Sequence, residues 1–291
     1  MEQSYSIENN PPPNVKKGLF RGWIRALIFL FASFTVMGFV QTLTFVSFGK
    51  SNSELAGFVA QLGSLIGTIL VLFIFMRWID REPFINLGFS TKAHKLDGFW
   101  GILVGFVLII AGFLILYALG YLKIKNIDFD FSQFVWIVLF FVMVAINEEM
   151  IMRGYILRNL MQSMNKFIAL IISALIFSVM HFFNPDFSWL GFFNIFLAGL
   201  LLGVSYIYTR NLWFPIGLHF GWNFMQSFIG FNVSGMDAYS LINITPQGDK
   251  LWSGGAFGFE GSLMSIVVMV VGIDAIYFHY SKKKQTSESI Y

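Results

Sequence analysis

The chain has 291 residues, of which 56% are hydrophobic, 19% aromatic and 12% charged. Soluble domains carry about 25% charged residues, so this composition excludes an ordinary soluble protein and predicts a polytopic membrane protein. The chain contains no cysteine, which excludes disulfides and thiolate metal sites, and its net charge of +3 comes with no nucleic-acid-binding pattern.

Polar segments flank the apolar part of the chain. Residues 1–20, which include three consecutive prolines, predict a disordered cytoplasmic leader. This leader is not a signal peptide, because the apolar stretch after Lys16 and Lys17 is too long and lacks a cleavage pattern. Residues 21–281 form the predicted transmembrane domain, and residues 282–291 form a basic cytoplasmic tail.

The apolar part divides into eight candidate spanning helices, since one span needs about 20 mostly apolar residues. The predicted fold is therefore an all-α, polytopic helical membrane bundle of about eight transmembrane helices, inserted in the cell membrane. The predicted spans are 22–48, 54–78, 97–120, 132–162, 167–183, 188–209, 213–230 and 261–280.

The distribution of basic residues predicts the orientation, because cytoplasmic segments carry an excess of Lys and Arg. With eight spans and the N-terminus inside, 15 of the 19 basic residues fall in inner segments. The other four are Lys50, Lys123, Lys125 and Lys250. This asymmetry predicts that both termini are cytoplasmic.

The sequence "NEEMIMRGYIL" (residues 147–157) places charge directly after an uncharged apolar run. Ionised side chains inside a membrane are unfavourable and usually mark function. Glu149 and Arg153 are four residues apart and can form an ion pair on one helix face. Glu148 projects about 100° away from Glu149, so it shares the arginine less easily and is the stronger candidate for chemistry.

A hairpin of the fourth and fifth helices brings Glu148 to the height of His181. The polar turn 162–166 lies midway between them, and each is about 25 Å along its helix from that turn. We expect the amphipathic segment 153–166 to protrude into the cytosol, which puts both residues in the cytoplasmic half of the membrane. His219 and Asn223, on the seventh helix, share one face at a similar depth.

These residues match the three motifs of the CPBP family of intramembrane proteases, which includes the type II CaaX prenyl endopeptidases. The chain resembles this family in EExxxR (Glu148, Glu149, Arg153), FxxxH (Phe177, His181) and HxxxN (His219, Asn223). Each motif alone is short, but the three are complete and in order, and the motif core extends over about 130–230. The eight-helix layout also resembles the family.

The resemblance, together with the chemistry of peptide hydrolysis, implies a role for each of the six polar motif residues. Glu148 is expected to be the general base, supported by Glu149 and Arg153. His181 and His219 would either ligate a divalent metal, such as Zn²⁺, or polarise water and the oxyanion directly. Asn223 would donate to the oxyanion or complete the metal coordination. A metal site would combine the two histidines with Glu148 or with Asn223, and this choice stays open.

The expected activity is endoproteolysis of a peptide or membrane-protein substrate near the cytoplasmic membrane face, with the lipid bilayer as the other partner. Two alternatives come from other classes of protein. An ion-coupled transporter could use the paired glutamates as a relay, although the chain shows no repeated halves. A non-proteolytic family member could act as a membrane scaffold or immunity factor.

Overall fold

A computed structural model of the protein describes residues 20–49 and 53–288. Helices dominate this part of the chain and pack as a bundle, which confirms the predicted all-α membrane fold. We label the eight long helices α1 to α8. They are α1 (Gly22–Phe48), α2 (Ser53–Ile74), α3 (Asp97–Ala118), α4 (Phe131–Glu149), α5 (Lys166–Met180), α6 (Trp189–Gly203), α7 (Trp213–Phe228) and α8 (Leu263–Glu288).

Each of the eight predicted spans overlaps one of these helices, but the number of membrane crossings stays a prediction. Six helical segments of the described chain are long and apolar enough to cross a membrane. Helix α5 has only 15 residues, which is about 22 Å of rise against a hydrocarbon core of about 30 Å. The predicted leader lies outside the described residues except for Phe20, and α8 continues into the predicted tail as far as Glu288.

Two helices continue beyond their α-helical part with wider turns. Helix α2 ends in a π-helical segment, Phe75–Asp80. Helix α4 continues as a π-helical segment, Met150–Leu157, and a last α-helical turn, Arg158–Leu160. The change in helix type in α4 falls directly after Glu149, and such π-helical insertions are frequent at functional sites.

One end of the bundle, which we call the basic end, comprises the connections 81–96, 161–165 and 210–212. A buried ionic network holds it together: Arg25 pairs with Asp80, and Arg158 pairs with Glu82. The hydroxyl of Tyr155 also donates to Asp80 at 2.6 Å. These bonds join α1, α2 and the end of α4.

The opposite end, which we call the loop end, comprises the connections 119–130, 181–188 and 229–262. Strands β1 (Leu122–Ile127) and β2 (Ile242–Pro246) pair there as a two-stranded antiparallel sheet, which the sequence analysis did not predict. The α7–α8 connection (residues 229–262) also contains a short helix, Lys250–Ser253, and two 3₁₀ turns, Gly255–Phe257 and Phe259–Gly261.

Glycines set the orientation of α7 against α3. A Cβ atom at Gly217 or Gly221 would collide with the backbone of α3, so small residues are required for this close approach. His219 lies two residues, or about 200°, from Gly217, and therefore occupies the opposite face of α7. The glycine contact with α3 thus turns His219, and Asn223 one turn later, toward α4.

Candidate active site

A pocket beside α4 collects residues from all three sequence motifs. Its space open to the centres of water molecules is about 40 Å³, which is enough for a few waters. Glu148, His181, His219 and Asn223 all line it. The α7–α8 connection lines the pocket on the side of the loop end, through residues that include Ser234, Met236 and Glu260.

Glu149 and Arg153 lie behind the pocket wall and form the predicted ion pair. Arg153 Nη1 donates to Glu149 Oε1 at 2.8 Å, and both side chains are buried. Arg153 Nη2 donates to the carbonyl of Gly199 on α6 at 2.8 Å. The guanidinium also lies 4.9 Å from the ring centroid of Phe177 on α5. Arg153 therefore holds α4, α5 and α6 together below the pocket.

Glu149 has a second partner that sequence reasoning did not predict. His219 Nδ1 lies 2.8 Å from Glu149 Oε1, the oxygen that also accepts from Arg153. An ionised carboxylate only accepts hydrogen bonds, so His219 donates from Nδ1 and its Nε2 is left facing the pocket. Glu149 thereby fixes the orientation of the imidazole, as well as pairing with the arginine.

Glu148 occupies a different environment from its neighbour. Its side chain is 23% exposed, toward the pocket, whereas that of Glu149 is fully buried. Glu148 Oε2 lies 3.8 Å from His219 Nε2, which is too long for a direct hydrogen bond, and this oxygen has no hydrogen-bond partner among the described residues. A separation of this size fits a bridging water.

His181 is fixed in the same way as His219. Its Nδ1 lies 2.8 Å from the carbonyl oxygen of Phe177, four residues earlier. A carbonyl only accepts, so Nδ1 carries the proton and Nε2 presents a lone pair. The ring of Phe177 is 4.7 Å from that of His181 and 6.2 Å from that of His219, which explains physically why an aromatic residue precedes the histidine in this motif.

The protein donors do not form a ready metal centre. In the described ranges, no group of three or more His, Cys, Asp or Glu side chains is arranged to hold a metal ion. His181 and His219 offer two imidazole nitrogens, whereas a catalytic zinc ion usually has three protein ligands. The expected metal therefore stays a prediction, and we derive no chemical step from one.

Glu260 is a pocket residue that sequence reasoning missed. It is 3% exposed, and its carboxylate accepts from Trp222 Nε1 at 3.1 Å and from the backbone N–H and hydroxyl of Ser234 at 2.8 and 2.7 Å. The amide of Asn194, on α6, donates to the carbonyls of Glu260 and Ser262. The sequence feature that could have indicated these contacts is Asn194, a buried amide within an otherwise apolar helix.

The predicted protrusion of the segment 153–166 into the cytosol needs correction. Residues 153–160 are buried in the bundle and belong to Phe131–Leu160, a segment that is long and apolar enough to span a membrane. His181 directly follows α5, at the loop end, and the α7–α8 connection lines the pocket at that same end. The predicted orientation places this end outside, so that orientation and a site in the cytoplasmic half are incompatible.

The site thus combines a carboxylate beside a small, mostly apolar pocket with two oriented imidazoles and an amide, inside a helical membrane protein. These are the features of a membrane-embedded hydrolase. Residues 130–225 match the family model for the Rce1-like type II CAAX prenyl endopeptidases. The matched segment contains all three motifs, and the match supports the predicted resemblance to the CPBP family. No curated protein matches the chain. The chain is therefore a multi-pass membrane protein with a segment similar to a family of proteases.

Proposed function

We propose that the protein is an intramembrane endopeptidase that uses Glu148 to activate water for hydrolysis of a peptide bond. The observation that carries the proposal is the position of Glu148, which lines a pocket of water size and whose Oε2 lies 3.8 Å from His219 Nε2. A water molecule that donates one hydrogen to each of these two atoms has its oxygen lone pairs directed away from them, toward a substrate.

The proton transfers follow from this arrangement. Glu148 takes a proton from the water as its oxygen attacks the carbonyl carbon, and then gives that proton to the leaving amine nitrogen as the C–N bond breaks. His219 Nε2 accepts the second hydrogen of this water and so orients it, while His181 Nε2 is placed to accept a hydrogen bond from a neighbouring water in the same pocket. Asn223, one helical turn after His219, supplies amide N–H donors to the developing oxyanion. General base catalysis of this kind contributes typically about 10²–10⁴-fold to the rate.

Glu149 and Arg153 act indirectly in this mechanism. Glu149 Oε1 accepts from two donors, His219 Nδ1 and Arg153 Nη1, and the side chain is fully buried, so it does not exchange protons with water in the pocket. This arrangement disfavours the transporter alternative, in which the two glutamates would form a relay. Glu149 instead keeps His219 in the tautomer and orientation that the reaction needs.

The family match suggests the class of substrate. Type II CaaX prenyl endopeptidases act on peptides with a C-terminal CaaX sequence, so the first substrates to test are CaaX-type peptides and peptides from membrane proteins. We place the activity in the cell membrane. If a divalent metal such as Zn²⁺ participates, His181 and His219 would be its protein ligands, and it would polarise the attacking water.

The test compares purified wild type with Glu148→Gln on a fluorogenic CaaX-type peptide and on a fluorogenic membrane-protein peptide. We expect cleavage by wild type only, while Asp237→Ala, a substitution at an exposed carboxylate of the α7–α8 connection, cleaves like wild type. Equal cleavage by wild type and Glu148→Gln would refute Glu148 as the base. A wild type that cleaves none of these peptides, yet folds correctly, would favour the scaffold or immunity alternative.

A further inference from the structure

The two ends of the bundle differ strongly in basic residues, which fixes their sides of the membrane. Among the described side chains, ten Lys or Arg lie at the basic end and three at the loop end, with Arg153 in the interior between them. The ten are Arg21, Arg25, Arg77, Arg81, Lys92, Lys95, Arg158, Lys166, Arg210 and Lys282, and the three are Lys123, Lys125 and Lys250. An excess of basic residues marks the cytoplasmic side.

The loop end, by contrast, is rich in acidic residues. Asp128, Asp130, Asp186, Asp237 and Asp249 all lie in its connections. Acidic residues contribute little to orientation, so they neither strengthen nor weaken the assignment from Lys and Arg. They do show that the loop end presents a hydrophilic surface, as expected of a part of the chain that faces water.

The pocket is closed toward the basic end by packed side chains. Directly below Glu149 come the ion pair with Arg153 and the segment Met150–Leu160, in which every residue is buried. Tyr155, from this segment, is fully buried and its ring lies 4.1 Å from that of Phe29. A peptide has no route from the basic end to Glu148 through this packing.

The pocket is bounded toward the loop end by much less material. Met236 lines the pocket and is 43% exposed, so its side chain reaches from the pocket to the surface. Beside His181, Phe183 is 92% exposed and Trp189 is 72% exposed. Exposed aromatic residues of this kind are enriched at the membrane–water interface, so they mark the level of the interface near the pocket mouth.

We propose that the pocket opens to the non-cytoplasmic side of the membrane, and that the substrate is a peptide segment presented at that face. Such a segment belongs to an exported peptide, or to the stretch of a membrane protein just beyond its spanning helix. The claim about access rests only on charge distribution and packing; the claim about the substrate also rests on the proposed function. The proposal replaces the expectation that cleavage takes place near the cytoplasmic face.

The absence of cysteine from the sequence makes a direct test possible. Single-cysteine variants are made at Met236, at the pocket mouth, and at two exposed reference positions: Thr245 in β2 at the loop end and Thr91 at the basic end. Intact cells are treated with a membrane-impermeant maleimide, before or after permeabilisation. We expect Met236→Cys and Thr245→Cys to label in intact cells, and Thr91→Cys to label only after permeabilisation.

Two labelling results would overturn the proposal. The first is labelling of Thr91→Cys in intact cells while the other two variants are protected, which would reverse the orientation. The second is labelling of Thr245→Cys but not Met236→Cys in intact cells, with Met236→Cys reacting only in detergent, which would show that the pocket is closed to this face. Labelling needs no catalysis, so a protein that labels as expected but cleaves nothing refutes the proposed function and leaves the claim about access intact.

A separate experiment tests the claim that the substrate is presented at the non-cytoplasmic face. A cleavable peptide is fused beyond either the non-cytoplasmic or the cytoplasmic end of a single spanning helix and co-expressed with wild type or Glu148→Gln. We expect loss of the full-length fusion only with wild type, and only for the non-cytoplasmic peptide. Cleavage of the cytoplasmic peptide alone would overturn the inference while supporting the protease.

Discussion

The basic end and the active-site pocket both bury charged side chains among apolar helices, but they satisfy those charges differently. At the basic end, the Asp80 carboxylate has Arg25 as an ion-pair partner and Tyr155 as a hydrogen-bond donor. In the pocket, Glu148 Oε2 has no hydrogen-bond partner among the described residues, and the Nε2 atoms of His181 and His219 face open space.

This difference teaches how to separate structural charge from catalytic charge in a membrane protein. Charges inside a membrane are unfavourable unless paired, so a fully paired cluster stabilises helix packing and has no capacity left for a substrate. Glu149 resembles the basic end in that its Oε1 accepts from two protein groups and its side chain is fully buried. Glu148 is the carboxylate that is partly exposed and lines the pocket, and that is what water activation requires.

The largest expected effect is on activity, from Glu148→Gln. The substitution keeps the size of the side chain and removes the base, so we expect kcat/KM to fall by about 10²–10⁴-fold. The thermal unfolding midpoint in detergent should stay within a few degrees of wild type, since Glu148 bonds little in the fold. A large drop in that midpoint would instead place Glu148 with the structural charges.

The opposite pattern is expected for Asp80→Ala at the basic end. Removing one partner of a buried ion pair leaves the others uncompensated, which typically costs about 3–5 kcal/mol of unfolding free energy. Unfolding in detergent measures the loss, and kcat per folded molecule measures the activity. We expect a strong loss of stability and a kcat near that of wild type; a selective loss of kcat would contradict the division between the two regions.

Much of the architecture could be predicted from the sequence because its signal is local. The lengths of the apolar segments predicted spans that overlap all eight long helices, and the spacing of four residues predicted the ion pair of Glu149 and Arg153. The expected protrusion of the segment 153–166 was wrong, since local arithmetic did not show that residues 153–160 are buried by neighbouring helices. The contacts of Glu149 with His219, and of Glu260 with Ser234, join residues 70 and 26 positions apart, and no spacing rule predicts such pairs.

A substitution of Glu260 tests whether this charged residue of the pocket wall has a structural or a catalytic role. Glu260→Ala leaves three buried donors, on Trp222 and Ser234, without their acceptor, and an unsatisfied buried group costs about 1–3 kcal/mol. We expect the α7–α8 connection to be cut faster by an added soluble protease, and KM to rise more than kcat falls. Asp237→Ala, in the same connection but exposed, is the matched control. A fall in kcat with unchanged proteolysis would make Glu260 part of the chemistry.

The smallest expected effect is that of metal removal, and it tests whether the pocket groups without protein partners bind a metal ion. Because the donors in the described residues do not group as a metal centre, we expect the wild-type protein to keep its activity after dialysis against a strong chelator. His181→Ala should then slow cleavage without changing the response to the chelator, as expected for an imidazole that orients water. Loss of activity in chelator, restored by Zn²⁺ in wild type but not in His181→Ala, would show that the two Nε2 atoms face the pocket to bind a metal. In that case the unpaired groups of the pocket would be paired after all, by an ion in place of a protein side chain.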